Sequence, residues 1–356
     1  MQVRLAYRAR LRDGTIVRRI SVTRRRFLAA SALAPAAQPA PPGRTSMGVA
    51  TTSYMTVRKP RDTIEFLEHC HAAGAGGIQA PLTSLDPGYL GRLRDRAGRL
   101  EMYIEVMGPL PKADLSQFEA VARAAAGVGA LCIRAACLGG RRYETFQSLD
   151  EWKRFVSDSH AAIERALPIC ARYRVKLAIE NHKDWTAEEF AALPARYASP
   201  WLGVCLDTGN NMALLDESAA LAEALAPYTI STHIKDMAVL PYEEGFLLSE
   251  VPLGDGMLDL KRIVDIIRRA QPATKMTLEM ITRNPLRVPC LTDGYWATFP
   301  ERSGLHLART LRMVNEKRSA APLPRLDGKS PAEQLAYEEE NVRRCLAYAR
   351  DRLGLV

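Results

Sequence analysis

The run Val175-Lys176-Leu177-Ala178-Ile179-Glu180 is a short apolar stretch closed by an acid, and the pattern recurs downstream. Leu202-Gly203-Val204-Cys205-Leu206-Asp207 repeats it, Ile230-Ser231-Thr232-His233 ends on an imidazole, and Met276-Thr277-Leu278-Glu279 ends on a carboxylate. Each run has the length of a buried strand. The four terminal residues are spaced by 27, 26 and 46 positions. The first two spacings match one strand–helix unit, and the third matches one unit lengthened by a loop.

Outward from this stretch the same alternation continues. Met47–Ser53, Gly77–Leu82, Glu101–Val106 and Ala130–Ala135 read as strands one to four. Val175–Glu180, Leu202–Asp207, Thr229–Lys235 and Lys275–Met280 read as strands five to eight. Amphipathic stretches lie between them. Pro60 opens a helix closed by Gly74, and further helices are predicted at 89–97, 115–128, 149–173, 187–193, 217–225, 258–269 and about 301–317. Eight such pairs predict an α/β protein, a (β/α)8 TIM barrel. The competing architecture, a doubly wound sheet, carries a Gly-rich phosphate loop after its first strand. Here Ser53-Tyr54-Met55-Thr56 stands there instead.

Charge separates the chain into unequal parts. Residues 1–26 hold nine arginines against Asp13 alone. Removing them from 49 basic and 40 acidic residues leaves 40 against 39, a net of +1. A nucleic-acid-binding body is strongly basic, so no nucleic-acid partner is expected. The twin arginines of Thr23-Arg24-Arg25-Arg26-Phe27-Leu28, the Ala-rich run to Ala37 and the Pro-rich run to Pro42 have the order of an export leader. A periplasmic location by the twin-arginine route follows as an expectation, or a cytoplasmic one if the start codon is misassigned. No stretch is long and apolar enough to predict a transmembrane segment. Seven scattered cysteines form no Cys-x-x-Cys pair. Three segments are expected: leader and linker 1–46, barrel 47–320 and a helical extension 321–356. The extension opens with the capping box Ser330-Pro331-Ala332-Glu333. Its stripe of Leu335, Val342, Leu346 and Leu353 is expected on the barrel exterior or on another subunit.

In a barrel the C-terminal strand ends ring one mouth, where active sites sit. Glu180, Asp207, His233 and Glu279 therefore converge. An acid after a strand is often a helix cap, but capping does not call for a histidine on the same ring. Three carboxylates and one imidazole suit a single divalent ion, Mn²⁺ first, with Mg²⁺, Co²⁺ or Zn²⁺ as alternatives.

The runs Ile179-Glu180-Asn181-His182, Asp207-Thr208-Gly209-Asn210 and His233-Ile234-Lys235-Asp236, with Gly254-Asp255-Gly256 and Leu278-Glu279, resemble the xylose isomerase-like TIM barrel superfamily. The resemblance covers about residues 47–320 and implies a metal held by Glu180, Asp207, His233 and Glu279. It also implies that Glu180 and Glu279 are the catalytic pair, as in the ketose epimerases of that group. The expected activity is a metal-dependent sugar isomerase or epimerase. One carboxylate removes the proton beside a carbonyl, the ion stabilises the enediolate, and the other carboxylate returns a proton.

One departure from the family pattern is Asn210, where the epimerases and endonucleases carry His. Asn takes up no proton near neutral pH, which keeps a dehydratase or other lyase acting on a keto-sugar or cyclitol in view, as well as a non-catalytic sugar-binding protein. A trinuclear endonuclease site is not expected, because no histidine lies between His71 and His160. Substrate contacts are expected from His182, Asn210, Lys235, Trp185 and Trp296, with a salt bridge from Lys235 to Asp184 or Asp236 as the plainer alternative. Arg134 is read as an anion contact or a partner of Glu105 or Glu180. The substrate is expected to be a free small-molecule sugar or cyclitol, and the barrel to pair as a homodimer or homotetramer.

Overall fold

A computed structural model describes residues 43–356 apart from 57 and 59. The export leader read in residues 1–46 falls, up to residue 42, outside the described residues. Eight parallel strands follow the order in which the chain visits them: β1 (Gly48–Ala50), β2 (Gly77–Ala80), β3 (Tyr103–Met107), β4 (Cys132–Ala136), β5 (Lys176–Glu180), β6 (Leu202–Asp207) and β7 (Thr229–His233). Then, after a hairpin of β8 (Asp236–Tyr242) and β9 (Gly245–Val251), comes the eighth barrel strand, β10 (Thr277–Leu278), which pairs with β1. Between β7 and β10 the seam is closed by a parallel bridge of Ile234 with Leu278, with Ile234 N–H donating to Thr277 O at 2.7 Å and Glu279 N–H to Ile234 O at 3.1 Å. The result is a nearly closed (β/α)8 barrel with helices around it.

The helices lie where the punctuation placed them, because local chemistry fixes their starts. Asp62, Asp86, Ser148, Thr186 and Asp259 each accept hydrogen bonds from first-turn amides. Their apolar faces pack on the strands, and one continuous buried cluster runs from Met47 to Leu355.

Two features differ from the sequence reading. The segment after β7 is not a plain loop. β8 and β9 form an antiparallel hairpin, extended by β11 (Leu286–Val288), that stands beside the mouth. The eighth strand is shorter than read, spanning Thr277–Leu278 out of Lys275–Met280.

The C-terminal extension shares the barrel's core. Val342, Cys345, Leu346, Ala349 and Leu353 of helix Pro331–Leu353 belong to the same buried cluster. Fully buried Glu338 accepts the amides of Thr56 (2.9 Å) and Arg58 (3.3 Å), so this helix pins the loop after β1. The seven cysteines are free, and no helix among the described residues is long and apolar enough to cross a membrane.

Candidate metal centre

Glu180, Asp207 and His233 are the last residues of β5, β6 and β7, and Glu279 directly follows β10. Register brings them level: Glu180 pairs beside Cys205, and Asp207 directly beside His233. One ligand atom from each of the four lies within 4.8 Å of every other, and all four side chains are buried. His233 Nδ1 lies 3.2 Å from Glu180 Oε1, 3.4 Å from Glu279 Oε1 and 3.7 Å from Asp207 Oδ2.

The state of His233 follows from its other side. Nε2 faces Gln79 Oε1 at 2.6 Å, and Gln79 Nε2 donates to Glu105 Oε2 at 2.9 Å. The carboxylate fixes the amide orientation, so the amide oxygen accepts and His233 Nε2 carries the proton. Nδ1 is then a bare lone pair with no hydrogen-bond partner, buried among three carboxylates. Three carboxylate oxygens and this lone pair thus face one another at a spacing that suits a shared cation. Oxygen-rich donors, one nitrogen and an outer hydrogen-bonding partner are what a divalent ion requires. The residues fit the ion.

Asp207 is aimed by its loop. Its Oδ1 accepts the amides of Gly209 (2.8 Å) and Asn210 (2.7 Å), leaving Oδ2 to face the cluster. A Cβ on Gly209 would sit 2.6 Å from Met237 Sδ, so glycine is needed there. Asp236 accepts the amides of Gly254 (3.0 Å), Gly256 (3.1 Å) and Leu258 (3.1 Å). That explains why the His-Ile-Lys-Asp and Gly-Asp-Gly motifs occur together: one clasps the other.

Cations surround the cluster. Lys235 Nζ lies 2.8 Å from Asp207 Oδ2, contacts Glu279 Oε2 and stands 3.9 Å from Glu250 Oε1. The expected alternative partners are corrected here: Asp184 and Asp236 are occupied by backbone amides, and Lys235 joins the ligand set itself. Burial raises the Asp207 and Glu279 carboxyls, but the ammonium of Lys235, with Arg134 also acting on Glu279, outweighs it, and both are held below their ordinary range. Arg134 pairs with Glu180 Oε2, and Thr52 Oγ1 donates to Glu279 Oε1 at 2.8 Å. Arg283, from the loop after β10, forks onto Glu250 of β9.

Asn210 Nδ2 donates to Glu180 Oε1 at 3.0 Å, and its Oδ1 accepts from both Lys183 Nζ and Lys235 Nζ, the latter at 3.4 Å. His182 lies at this rim with a buried, unpartnered Nδ1. Burial, with Lys183 and Arg134 close by, pushes its pKa down to about 3, so the ring is neutral.

Trp185 and Trp296, both read as substrate contacts, pack within aromatic clusters. The Trp185 ring is buried against Trp152, Phe155 and His160 of helix Leu149–Tyr173. Trp296 donates its N–H to Cys290 O at 3.0 Å and packs on Tyr295 and Phe299. A recess of about 720 Å³ opens on the barrel's outer side, lined by Leu221, Ile263 and Met313 among others. It contains none of the converging ligands. Sequence reading missed Lys183, Glu250, Arg283, Gln79 and Thr52. The last two stand at strand ends and were open to the same argument as the ligands.

Fold and cluster together define a (β/α)8 barrel enzyme with a buried site able to hold a divalent metal. The family model described as xylose isomerase-like TIM barrel matches residues 67–298, and the chain belongs to that family, an enzyme superfamily with sugar isomerases and epimerases among its members. A curated relative, the 3-oxo-isoapionate decarboxylase of Pectobacterium atrosepticum, is 29% identical over 219 residues, covering 60% of this chain and 75% of the relative. Among solved structures, a D-psicose 3-epimerase crystallised in the presence of D-fructose superposes with a TM-score of 0.58 at 15% identity, covering 87% of this chain and all of its own. An IolI protein with a bound zinc atom gives 0.52 at 14%, covering 77% of this chain and 100% of its own. At such identities these two likenesses speak for the fold alone.

Proposed function

We propose that this barrel is a metal-dependent lyase that decarboxylates a small 3-oxo sugar acid, with Mn²⁺ as its ion. The observation that carries the reading is a balance of charge. Four carboxylates (Glu180, Asp207, Glu279, Glu250) are interleaved with four cations (Arg134, Lys183, Lys235, Arg283) around one buried point. Within this set the negative and positive groups are equal in number. A divalent ion adds an excess of +2 in a low-dielectric site, where such an excess is costly. An anionic substrate offsets it and a neutral sugar does not. The sequence similarity to a 3-oxo acid decarboxylase supports the same substrate class.

Glu180, Asp207, His233 and Glu279 would hold the ion, which when bound supplies a Lewis acid for the substrate's carbonyl oxygen. The reaction breaks the bond from C2 to the carboxyl carbon. Its electron pair passes into the adjacent ketone, CO₂ departs, and a proton from solvent completes the product. No base has to remove a proton from carbon. That agrees with two glutamates already engaged, Glu180 by Arg134 and Asn210, Glu279 by Lys235 and Thr52. The neutral His182 ring can accept or donate at a substrate hydroxyl.

A second reading, isomerisation or epimerisation of a keto-sugar, draws on one observation. Glu180 and Glu279 each turn an oxygen toward His233, at 3.2 and 3.4 Å, as an acid–base pair flanking a substrate would. Dehydration at the same site would use the same pair. One experiment separates these readings. The Mn²⁺-loaded full chain is incubated in D₂O with 3-oxo-isoapionate, and separately with a panel of ketoses, and followed by NMR and CO₂ trapping. The expected outcome is one CO₂ per product and one deuterium on the carbon that lost it. Deuterium entering a ketose without CO₂ would replace this reading with the isomerase or epimerase one, and loss of water with dehydration. No change in either substrate would leave a binding protein.

A further inference from the structure

Among the described residues two lysines are buried, Lys183 at 3% exposure and Lys235 at 1%. Their surroundings are opposite. Lys235 has carboxylate oxygens of Asp207 and Glu279 against it. Among the described residues Lys183 has no carboxylate within 4.0 Å and one hydrogen-bond partner, the amide oxygen of Asn210. We propose that Lys183 is the anion anchor of this site, its ammonium receiving the carboxylate of an organic-acid substrate.

Four observations carry the proposal. First, an ammonium has three donors and this one, on a buried residue, uses one among the described residues. A buried cation without a counter-charge is costly unless a ligand completes it. Second, the placement is built. Asn210 is locked by donating to Glu180 Oε1 (3.0 Å) and Asn181 O (3.2 Å), so its oxygen must face the lysines. A histidine at 210 could not present a carbonyl acceptor to two ammonium groups at once. Third, the Lys183 backbone is left-handed, with φ of 53°. A side-chain-bearing residue adopts that conformation at a cost, and such strain gathers at ligand sites. Arg142 N–H holds the segment in place by donating to Lys183 O at 3.0 Å. Fourth, one amide separates Lys183 from Glu180, so a single small molecule can meet both the lysine and the metal ligands. Burial and the neighbouring charges of Lys235 and Arg283 also push the Lys183 pKa down to about 7, as expected for a cation lacking its anion.

This anchor rests on the reading of an acidic substrate, but it can be tested without turnover. The probes are D-threonate and D-threitol, the same four-carbon skeleton with and without a carboxylate, titrated calorimetrically into the Mn²⁺-loaded chain. Wild type is expected to bind threonate at least about tenfold more tightly. Lys183→Met and Lys183→Gln are expected to lose that preference at unchanged metal content, and Lys183→Arg to keep most of it. The metal itself attracts carboxylates, so the loss on substitution is the decisive quantity. Two neutral variants guard against one failing to fold. Wild type without preference, or neutral variants that keep it, would overturn the proposal. The two ideas also fail separately. A Lys183-dependent preference with no CO₂ release sinks the decarboxylase and leaves the anchor, whereas CO₂ release with an unchanged KM in Lys183→Met does the reverse.

Discussion

The two halves of the barrel rim divide the labour. The ends of β5, β6 and β7, with the residue after β10, carry all four converging ligands. The half built on β1 to β4 carries none, but a polar residue on or just after each of its strands supports a ligand, directly or through a neighbour. Thr52 bonds Glu279, Gln79 bonds His233, Glu105 anchors Gln79, and Arg134 pairs with Glu180. One half presents the converging ligand atoms and the other sets their protonation and aim. The lesson is that a buried polar residue on a barrel strand is informative even when it is not a ligand itself.

The sharpest way to break this comparison is to exchange damage between the halves. Removing a ligand, as in His233→Ala, should abolish metal retention through dialysis and take turnover with it, by about 10³-fold or more. Removing a support, as in Gln79→Leu, should weaken metal affinity by about 10- to 100-fold while the loaded enzyme still turns over. Metal titration followed by elemental analysis reads both. Equal losses would erase the distinction between the halves, and an intact His233→Ala site would remove the metal assignment altogether.

Most of the fold was legible because each strand–helix unit is a local event. An apolar run, a polar cap and a helical stripe all lie within about 30 residues of one another. The ligands were legible for a related reason, since each ends or directly follows a strand and the barrel does the gathering. The hairpin of β8 and β9 was not, because its run from Asp236 to Val251 shows no clean alternation: most of its positions are buried on both faces. Glu250 went unseen with it, and Arg283, which matters only through Glu250, went unseen in turn. Lys183 is a charged residue in a loop, and nothing in Asn181-His182-Lys183-Asp184 signals that this lysine is the buried one. Its meaning depends on Asn210, 27 positions away.

The two buried lysines extend the comparison to pH. Burial, Lys235 and Arg283 push the Lys183 pKa down to about 7, while Glu250 and Asp207 act weakly the other way. Lys235 is buried too, yet Asp207 and Glu279 hold its pKa above the ordinary lysine range. As pH rises through 7, Lys183 sheds its proton and Lys235 does not. Affinity for threonate should therefore be highest below pH 7 and fall toward about tenfold weaker by pH 9, with the metal still bound. Lys183→Arg should flatten that profile, since a guanidinium keeps its proton. A wild-type profile already flat from pH 6 to 9 would mean that the anion is held by the metal and Lys235 alone.

The smallest effect belongs to the aromatic residues, where a tryptophan beside the mouth tempts one toward sugar stacking. Trp185 follows β5 closely, but its ring lies in the layer between barrel and helices, with centroids 5.5 Å from Trp152 and 5.7 Å from His160. Trimming it should act on stability, not on recognition. Trp185→Phe keeps an aromatic in the slot and removes part of its volume, so a loss of about 1 to 3 kcal/mol is expected in denaturant unfolding. KM for substrate and affinity for threonate should stay within about twofold, because no atom of the ring is asked to touch a ligand. A rise in KM with unchanged stability would return the ring to the site and move the boundary of the mouth outward past β5.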